Sequence, residues 1–199
     1  MIAQITGMLI EKSANGMVVD VGGVGYHILV PASALSRLPE PEARVKLHIR
    51  TIVREDSIAL YGFDQRRERD LFDMLLTVAG VGPKLAIAVL SGMPFAPLVQ
   101  TISEGDAKAL TAIPGLGKKT SERVVLELRD KVAGMAKEFA VDLMAADAPE
   151  AAQDALSALL NLGYTRVEAA RAVDRALKES GKDASLEEII KHALRVLGT

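Results

Sequence analysis

The sequence of 199 residues contains no cysteine, no tryptophan and only three histidines, which lie far apart at His27, His48 and His192. Without cysteine the chain cannot form a disulfide, a thiolate metal site or a cysteine nucleophile. Histidines spaced in this way do not predict a zinc site. The charges nearly cancel, with 24 basic and 26 acidic residues, so no global positive field attracts an anionic partner. Any binding of nucleic acid must therefore be local.

Long apolar runs are also missing, although 49% of the residues are hydrophobic. Charged residues interrupt the apolar stretches within about 18 residues, too soon to span a bilayer. The beginning of the sequence lacks the charged-then-apolar pattern of a signal peptide. We therefore expect a cytoplasmic protein without a membrane partner, folded into one to three small domains.

The most informative feature that is present is one short phrase written twice. Its copies are Val78-Ala79-Gly80-Val81-Gly82-Pro83-Lys84 and Ile113-Pro114-Gly115-Leu116-Gly117-Lys118-Lys119, displaced by 35 residues. A Gly-x-Gly turn that opens a lysine-bearing helix presents backbone amides and the positive end of the helix dipole to an anion. The alternative is that the glycines simply end helices, but repetition, matched spacing and lysine after each turn favour phosphate binding.

The two copies predict a tandem helix-hairpin-helix unit that holds successive phosphates of a nucleic acid without reading its bases. The side chains of Lys84, Lys118, Lys119 and Arg123 are expected to reinforce the turn amides. The full set of predicted DNA-binding residues is Arg54, Gly80, Gly82, Lys84, Gly115, Gly117, Lys118, Lys119 and Arg123.

The same glycine-lysine phrase does not fit a nucleotide-binding loop. A P-loop needs glycine four residues before Gly117-Lys118, where the chain has Ala112, and it needs Ser or Thr where the chain has Lys119. Dinucleotide fingerprints fail as well, because Ile28 and Leu85 stand where a third glycine is required. We therefore expect no bound cofactor, no metal site, no catalytic residue and no ATP hydrolysis by this chain alone.

The periodicity of the sequence divides the chain into zones. Residues 1–62 read as about five strands that close into an OB-like β-barrel, with Asn15-Gly16 as a hairpin signal. In the strand from Val45 to Arg54, the odd positions are predicted to face inward and the basic even positions outward; Ile58 and Leu60 of the next strand are also predicted to face inward.

The remaining zones are helical. Residues 63–135 are predicted to form the all-α tandem helix-hairpin-helix domain, in which Ser103 and Asp106 resemble a capping box. Residues 136–149 read as a flexible linker with residual helix. Residues 150–199 predict a three-helix, UBA-like bundle, because Thr165 with Glu168 and Ser185 with Glu188 form capping boxes. The fold class is thus α+β with several domains.

Two groups of residues remain open to more than one interpretation. Glu55 and Asp56 follow a basic strand and fit a solvated hairpin tip, an acid–base pair, or negative charges that repel phosphate within a basic surface. Leu159, Leu162, Tyr164 and Leu194 fit the core of the last bundle or an apolar patch for a partner protein.

The chain resembles the RuvA family of bacterial Holliday-junction recognition subunits over its whole length. The resemblance is carried by phrases in matching order: Val21-Gly22-Gly23-Val24-Gly25-Tyr26, Val53-Arg54-Glu55-Asp56, Leu60-Tyr61-Gly62-Phe63, Gly80-Val81-Gly82-Pro83-Lys84-Leu85-Ala86, Pro114-Gly115-Leu116-Gly117-Lys118-Lys119-Thr120 and Leu162-Gly163-Tyr164.

This resemblance implies a homotetrameric plate, with one or two plates holding a four-way DNA junction open for branch migration in recombination and repair. It implies that Glu55 and Asp56 form an acidic pin where strands separate. It further implies that Leu159, Leu162, Tyr164 and Leu194 contact RuvB, the ring-shaped ATPase that uses ATP and Mg²⁺, and that the RuvC resolvase is a partner.

Two rival functions belong to other classes. One is a helix-hairpin-helix glycosylase or nuclease, for which Asp106, between the two hairpins, is the candidate carboxylate. The other is an OB-type single-strand binder, which needs aromatic platforms where the barrel offers only Tyr26, Tyr61 and Phe63. The chain lacks a nucleophile–base pair and a metal-ligand cluster, so both rivals are weaker than junction binding.

Overall fold

The computed structural model describes residues 1–14, 16–146, 149–181 and 184–198, with the side chains of 136–146 and Ser180 left aside. The described chain divides into two compact units, Met1–Ala133 and Gly134–Thr199. The architecture is a five-stranded barrel, a helical region that contains both hairpins, and a carboxy-terminal group of three helices. This confirms the predicted fold class.

The barrel is formed by five strands and one short helix. These are β1 (Gln4–Ser13), β2 (Gly16–Val21), β3 (Val24–Leu29), α1 (Ala32–Leu35), β4 (Arg44–Val53) and β5 (Ile58–Phe63). The strands close in the order β1-β2-β3-β5-β4, antiparallel except for the β3–β5 pair. Asn15 of the predicted hairpin signal lies outside the described residues.

The inward face of β4 agrees with the predicted alternation only over its first half. Val45, Leu47 and Ile49 are buried in the barrel core, whereas Val53 is 69% exposed. The prediction for Ile58 was wrong, because this residue is 71% exposed. Val53 and Ile58 are the last ladder pair before the turn, where β4 and β5 extend beyond the barrel core.

The helical part of the first unit begins directly after β5. Its helices are α2 (Arg66–Thr77), α3 (Pro83–Gly92), α4 (Phe95–Glu104), α5 (Ala107–Leu110) and α6 (Lys118–Ala146). Leu71, Phe72 and Leu75 of α2 are fully buried, and so are Val124 and Leu128 of α6.

Hydrogen bonds join α1 of the barrel region to α3. The Ser33 hydroxyl donates to the Leu90 carbonyl at 2.8 Å, and the Ala32 amide donates to the Ser91 hydroxyl at 3.0 Å. The aromatic rings of Tyr61 and Phe72 stack at 5.2 Å between β5 and α2. These contacts hold the barrel beside the first hairpin.

The segment predicted as a linker is helical over most of its length. Helix α6 continues to Ala146, while Asp147 and Ala148 lie outside the described residues. Residues 136–146 contain neither proline nor glycine and are rich in strong helix formers, so nothing in this segment ends the helix. Helix is therefore present in this segment up to Ala146, and its role as a flexible linker stays a prediction.

The second unit contains α7 (Glu150–Asn161), α8 (Arg166–Ser180) and α9 (Leu186–Leu197). Both predicted capping boxes are present, with Thr165 and Glu168 at α8 and Ser185 and Glu188 at α9. Within the described ranges no single helix is long and apolar enough to cross a membrane; α3 and α4 meet that test only together, as a bent pair.

Candidate nucleic-acid interface

The two glycine hairpins have the same backbone hydrogen bonds, displaced by 35 residues like the sequence. In each, the residue between the glycines donates to the carbonyl three positions earlier, and the second glycine accepts from the amide four positions later. The bonds are Val81 N to Val78 O and Leu116 N to Ile113 O, both 3.0 Å, and Ala86 N to Gly82 O and Ser121 N to Gly117 O, both 2.9 Å. The sequence repeat is therefore a structural repeat.

Apolar side chains anchor each turn. The central residues Val81 and Leu116 are buried, so the glycines on either side are left at the surface. Gly80 and Gly115 have φ of 91° and 86°, a region that residues with a Cβ rarely adopt. The first glycine of each hairpin is thus required by the turn itself.

The second glycine of each hairpin has a different reason. Gly82 precedes α3 with φ −92°, and Gly117 precedes α6 without a positive φ. A Cβ added to either residue would meet no atom within 4 Å. Nothing inside the protein requires glycine at these positions, whereas a ligand that approaches the backbone closely would require it.

The two hairpins contact each other directly. Arg123 of α6 donates from Nη1 to the carbonyl of Ala79 in the first hairpin at 3.1 Å. A Cβ on Gly115 would lie 3.4 Å from Leu85 Cδ1 of α3. Arg123 also lies 3.8 Å from Glu127, measured from Nε to Oε1. The predicted DNA-binding residue Arg123 therefore also links one hairpin to the other.

The predicted lysines surround these turns. Lys84, Lys118 and Lys119 are all exposed, and neither α3 nor α6 carries an acidic residue in its first turn. In the part of the chain that the structure describes, no carboxylate forms an ion pair with any of the three. Two helix starts and three unneutralised cations make one local anion-binding surface on an otherwise balanced chain.

The predicted acidic pair lies at the tip of the β4–β5 hairpin. Glu55 and Asp56 are exposed, and the Arg54 amide closes the turn by donating to the Ser57 carbonyl at 2.8 Å. The Ser57 hydroxyl lies 3.2 Å from Asp56 Oδ1. Neither carboxylate pairs with a cation among the described residues, so both negative charges face outward beside the exposed guanidinium of Arg54.

The basic outer face of β4 is only partly available. Arg50 Nε lies 3.1 Å from Asp73 Oδ1 of α2, which neutralises its charge. Burial lowers the pKa of His48, and the nearby charges of Arg69 and Lys46 lower it further. Lys46 in the strand and Arg54 directly after it are exposed cations, whereas the charged form of His48 is disfavoured.

The predicted partner residues divide in the second unit. Leu159 is fully buried in the three-helix core near the end of α7. Its assignment to a partner surface is therefore corrected, because a buried side chain is not available to a partner. Leu162 is 63% exposed, and Tyr164 and Leu194 are half-buried. A shallow groove on α9 is lined by Leu186, Ile190 and Leu194, two of which the sequence did not single out.

Asp106 has a structural role. Its Oδ1 accepts from the Ala109 amide at 3.0 Å and caps α5, whereas Ser103 lies in α4 and donates to the Gln100 carbonyl. The predicted capping box of Ser103 and Asp106 was therefore wrong, because α4 continues to Glu104 and Asp106 is itself the N-cap of α5. The described residues contain no cluster of three potential metal ligands.

Comparisons with known proteins agree with this geometry. Three family models match the chain: the RuvA N-terminal domain over residues 1–62, a SAM-like helix-hairpin-helix tandem over 72–130, and the RuvA C-terminal domain over 150–198. The chain is 48% identical to the Holliday junction branch migration complex subunit RuvA of Syntrophotalea carbinolica over 198 residues, 99% of each chain. The chain belongs to the RuvA family.

Other RuvA proteins match over equal lengths. The subunit of Pelobacter propionicus is 45% identical over 205 residues, and that of Syntrophus aciditrophicus is 41% identical over 202 residues, in both cases with 99% of each chain covered. The helix-hairpin-helix tandem family model covers both hairpins of this RuvA-family chain, and the structure shows the two hairpins in direct contact.

One functional-looking cluster was missed by sequence reasoning. Glu68 of α2 is only 3% exposed, and Arg37, which follows α1, donates from Nη2 to its Oε1 at 2.6 Å and to Asp64 Oδ1 at 2.7 Å. Burial and the neighbouring Asp64 raise the pKa of Glu68 to about 7 despite Arg37. No motif pointed to this cluster, because Arg37 lies 27 and 31 positions away from Asp64 and Glu68 in the sequence.

Proposed function

We infer that this RuvA-family chain is the junction-binding subunit of a Holliday junction branch migration complex; its relatives are named as subunits of that complex. The inference rests on two hairpins with matching backbone hydrogen bonds, joined by the bond from Arg123 to Ala79. In each hairpin the second glycine is open, and the lysines beside the turns have no ion pair among the described residues. The chain contributes binding and positioning to the complex, not a catalytic step.

The arrangement suits a protein that lets DNA move. Backbone amides and lysines contact phosphates, which are equivalent at every step of the duplex. Each step of branch migration then exchanges one set of contacts for an equal set. No side chain in the hairpins is needed to read a base edge, so the sequence of the arms does not hinder sliding.

The exposed Glu55 and Asp56 belong to the same proposal as an acidic pin. Two unneutralised carboxylates repel phosphate strands locally, while Arg54 and the hairpin lysines attract them a short distance away. Strands at the crossover are thereby directed around the turn and prevented from closing over it.

The assembly is part of the proposal too. Four copies would form a plate in the cytoplasm, and one or two plates would hold the junction. Exposed apolar side chains on the barrel supply surface for contacts between copies; they are Met8, Ile10, Val21 and Val24. RuvB and RuvC are the proposed protein partners. We propose that ATP and Mg²⁺ act on RuvB and that this chain binds no cofactor.

Docking of RuvB is assigned to the exposed apolar residues of the second unit, Leu162, Tyr164 and the α9 groove at Leu194. Leu162→Asp should leave junction binding unchanged, because the hairpins lie in the first unit. It should lower RuvB-dependent branch migration at least about tenfold, since a charge would enter an apolar contact.

The matched control is Ser157→Asp, which adds the same side chain at an exposed position on α7. This control should keep full branch migration. Equal activity of both variants would reject the assigned docking surface, and absence of RuvB-dependent migration with the unaltered chain would reject the proposed function.

A further inference from the structure

A groove of about 550 Å³ lies between the barrel and the first hairpin. Strands β4 and β5 form one wall, and the start of α3 forms the other. Its floor is apolar and includes Leu29, Ile52, Tyr61 and Leu85, while Arg54 and Lys84 stand on opposite walls. The groove therefore combines an apolar interior with two cations from different domains.

The position of the groove relates it to the crossover. Arg54 and Ser57, which line it, stand immediately before and after the acidic pair and are joined by a 2.8 Å backbone hydrogen bond. Gly82, whose missing Cβ leaves open space, lines the opposite wall. The groove thus connects the acidic turn to the first phosphate-binding hairpin.

The groove is lined by apolar side chains in addition to the two cations that suit a phosphate. Arg54 and Lys84 have no ion pair among the described residues, so both cations of the lining are available to a phosphate. The apolar floor contributes nothing to a phosphate but suits the flat face of a nucleobase or a deoxyribose. Tyr61, which lines the groove, packs one ring face on Phe72 with 5.2 Å between the ring centroids.

We propose that this groove holds one unpaired nucleotide of a strand leaving the crossover, with its phosphate between Arg54 and Lys84 and its base on the apolar floor. The proposal rests on the proposed junction-binding function. A nucleotide within a duplex cannot enter, because its base is stacked and paired, so occupancy is confined to the point where strands separate. The groove would stabilise an open crossover without reading sequence, since a mainly apolar floor offers few hydrogen bonds to a base edge.

The test uses the full-length chain and an immobile four-way junction with 5-iododeoxyuridine at a single position. Irradiation followed by mass spectrometry identifies the crosslinked peptide. An adduct on Tyr61 is expected when the probe is next to the crossover, and at least about tenfold less adduct when the probe is moved eight base pairs into an arm. Equal crosslinking from both positions would overturn the proposal.

A second measurement uses 2-aminopurine at the same crossover position, whose fluorescence rises when the base is unstacked. Ala59 lines the groove, so Ala59→Leu should fill it and reduce the fluorescence increase at least about twofold. Ile58→Leu is the matched control, because Ile58 is exposed outside this groove. Melting curves establish that both variants are folded.

The outcomes separate the two proposals. If the junction is bound but Tyr61 gives no adduct from the crossover, the groove proposal fails and junction binding stands; this is also the result expected if another copy of the chain covers the groove. If the unaltered chain shows no preference for the junction over a duplex, the proposed function itself fails.

Discussion

The two hairpins have the same backbone but different surroundings. The first opens α3 with Pro83 and a single lysine and lies beside the barrel, whose Arg54 shares its groove. The second opens the long α6 with two consecutive lysines and follows the short, Asp106-capped α5. The buried side chains of Val81 and Leu116 fix the backbone of each turn, so the charges and the neighbouring elements of the two hairpins can differ.

This difference predicts unequal shares in phosphate binding. The double variant Lys118→Ala with Lys119→Ala should weaken junction binding about thirtyfold at low salt and reduce the slope of log affinity against log salt by about 2. Lys84→Ala should reduce that slope by about 1, and fluorescence anisotropy across a salt series measures both. Lys131→Ala removes an exposed charge elsewhere on α6 and should change neither value. Equal slopes for all three variants would show that Lys84, Lys118 and Lys119 do not contact phosphate.

The open glycines should separate binding from folding. Gly82→Ala and Gly117→Ala place a methyl group in empty space at an ordinary φ, so the free energy of unfolding should change by less than about 1 kcal/mol. Junction affinity should nevertheless fall about tenfold, because the methyl group occupies the path of the phosphate.

Gly134→Ala is the control for these glycines, since its Cβ also meets open space but lies within α6 away from both turns. It should leave affinity intact and raise helix stability by roughly 1 kcal/mol. If all three variants bind like the unaltered chain, the turns are not approached closely by DNA.

The smallest expected effect is a pH dependence of stability, and it arises only on the side of the first hairpin. Glu68 lies on the helix that leads into it, whereas the corresponding position before the second hairpin is Ser103. Because the pKa of Glu68 is raised from 4.5 to about 7, its contribution to stability is present below its unfolded pKa and is lost as pH rises through about 7.

The unaltered chain should therefore lose about 1 kcal/mol relative to Glu68→Gln between pH 6 and pH 8, measured by urea unfolding. The pKa of Asp64 is shifted the opposite way by its hydrogen bonds with Arg37 and Glu68, despite burial, so its contribution is lost only at acid pH, below this window. A difference that stays constant from pH 6 to pH 8 would place the Glu68 pKa outside this range.

Much of the fold could be predicted because the signals are local. The capping boxes at Thr165 and Ser185, the alternation in the first half of β4 and the glycine repeat each lie within a few residues, and the structure contains them. The exposure of Ile58 could not be predicted, since it depends on where the barrel core ends rather than on the period of the strand.

The residues of the candidate site fall into the same two groups, those predictable from local spacing and those that depend on the fold. The hairpin glycines and lysines were predicted from their spacing, but the bond from Arg123 to Ala79 joins residues 44 positions apart. The groove at Arg54 and Lys84 and the Arg37–Asp64–Glu68 cluster also depend on tertiary packing. Leu159 shows the opposite limit, because an apolar residue near a helix end gives no local sign of whether it is buried or available to a partner.

The most direct test of the central claim is the affinity of the full-length chain for an immobile four-way junction and for a linear duplex of equal length, measured across a salt series with Mg²⁺ and without RuvB. The account predicts a clear preference for the junction, uncut DNA and a steep loss of affinity with salt. Equal affinity for the two substrates would contradict it and leave a general duplex binder, and cleavage of either substrate would move the chain to the nuclease class.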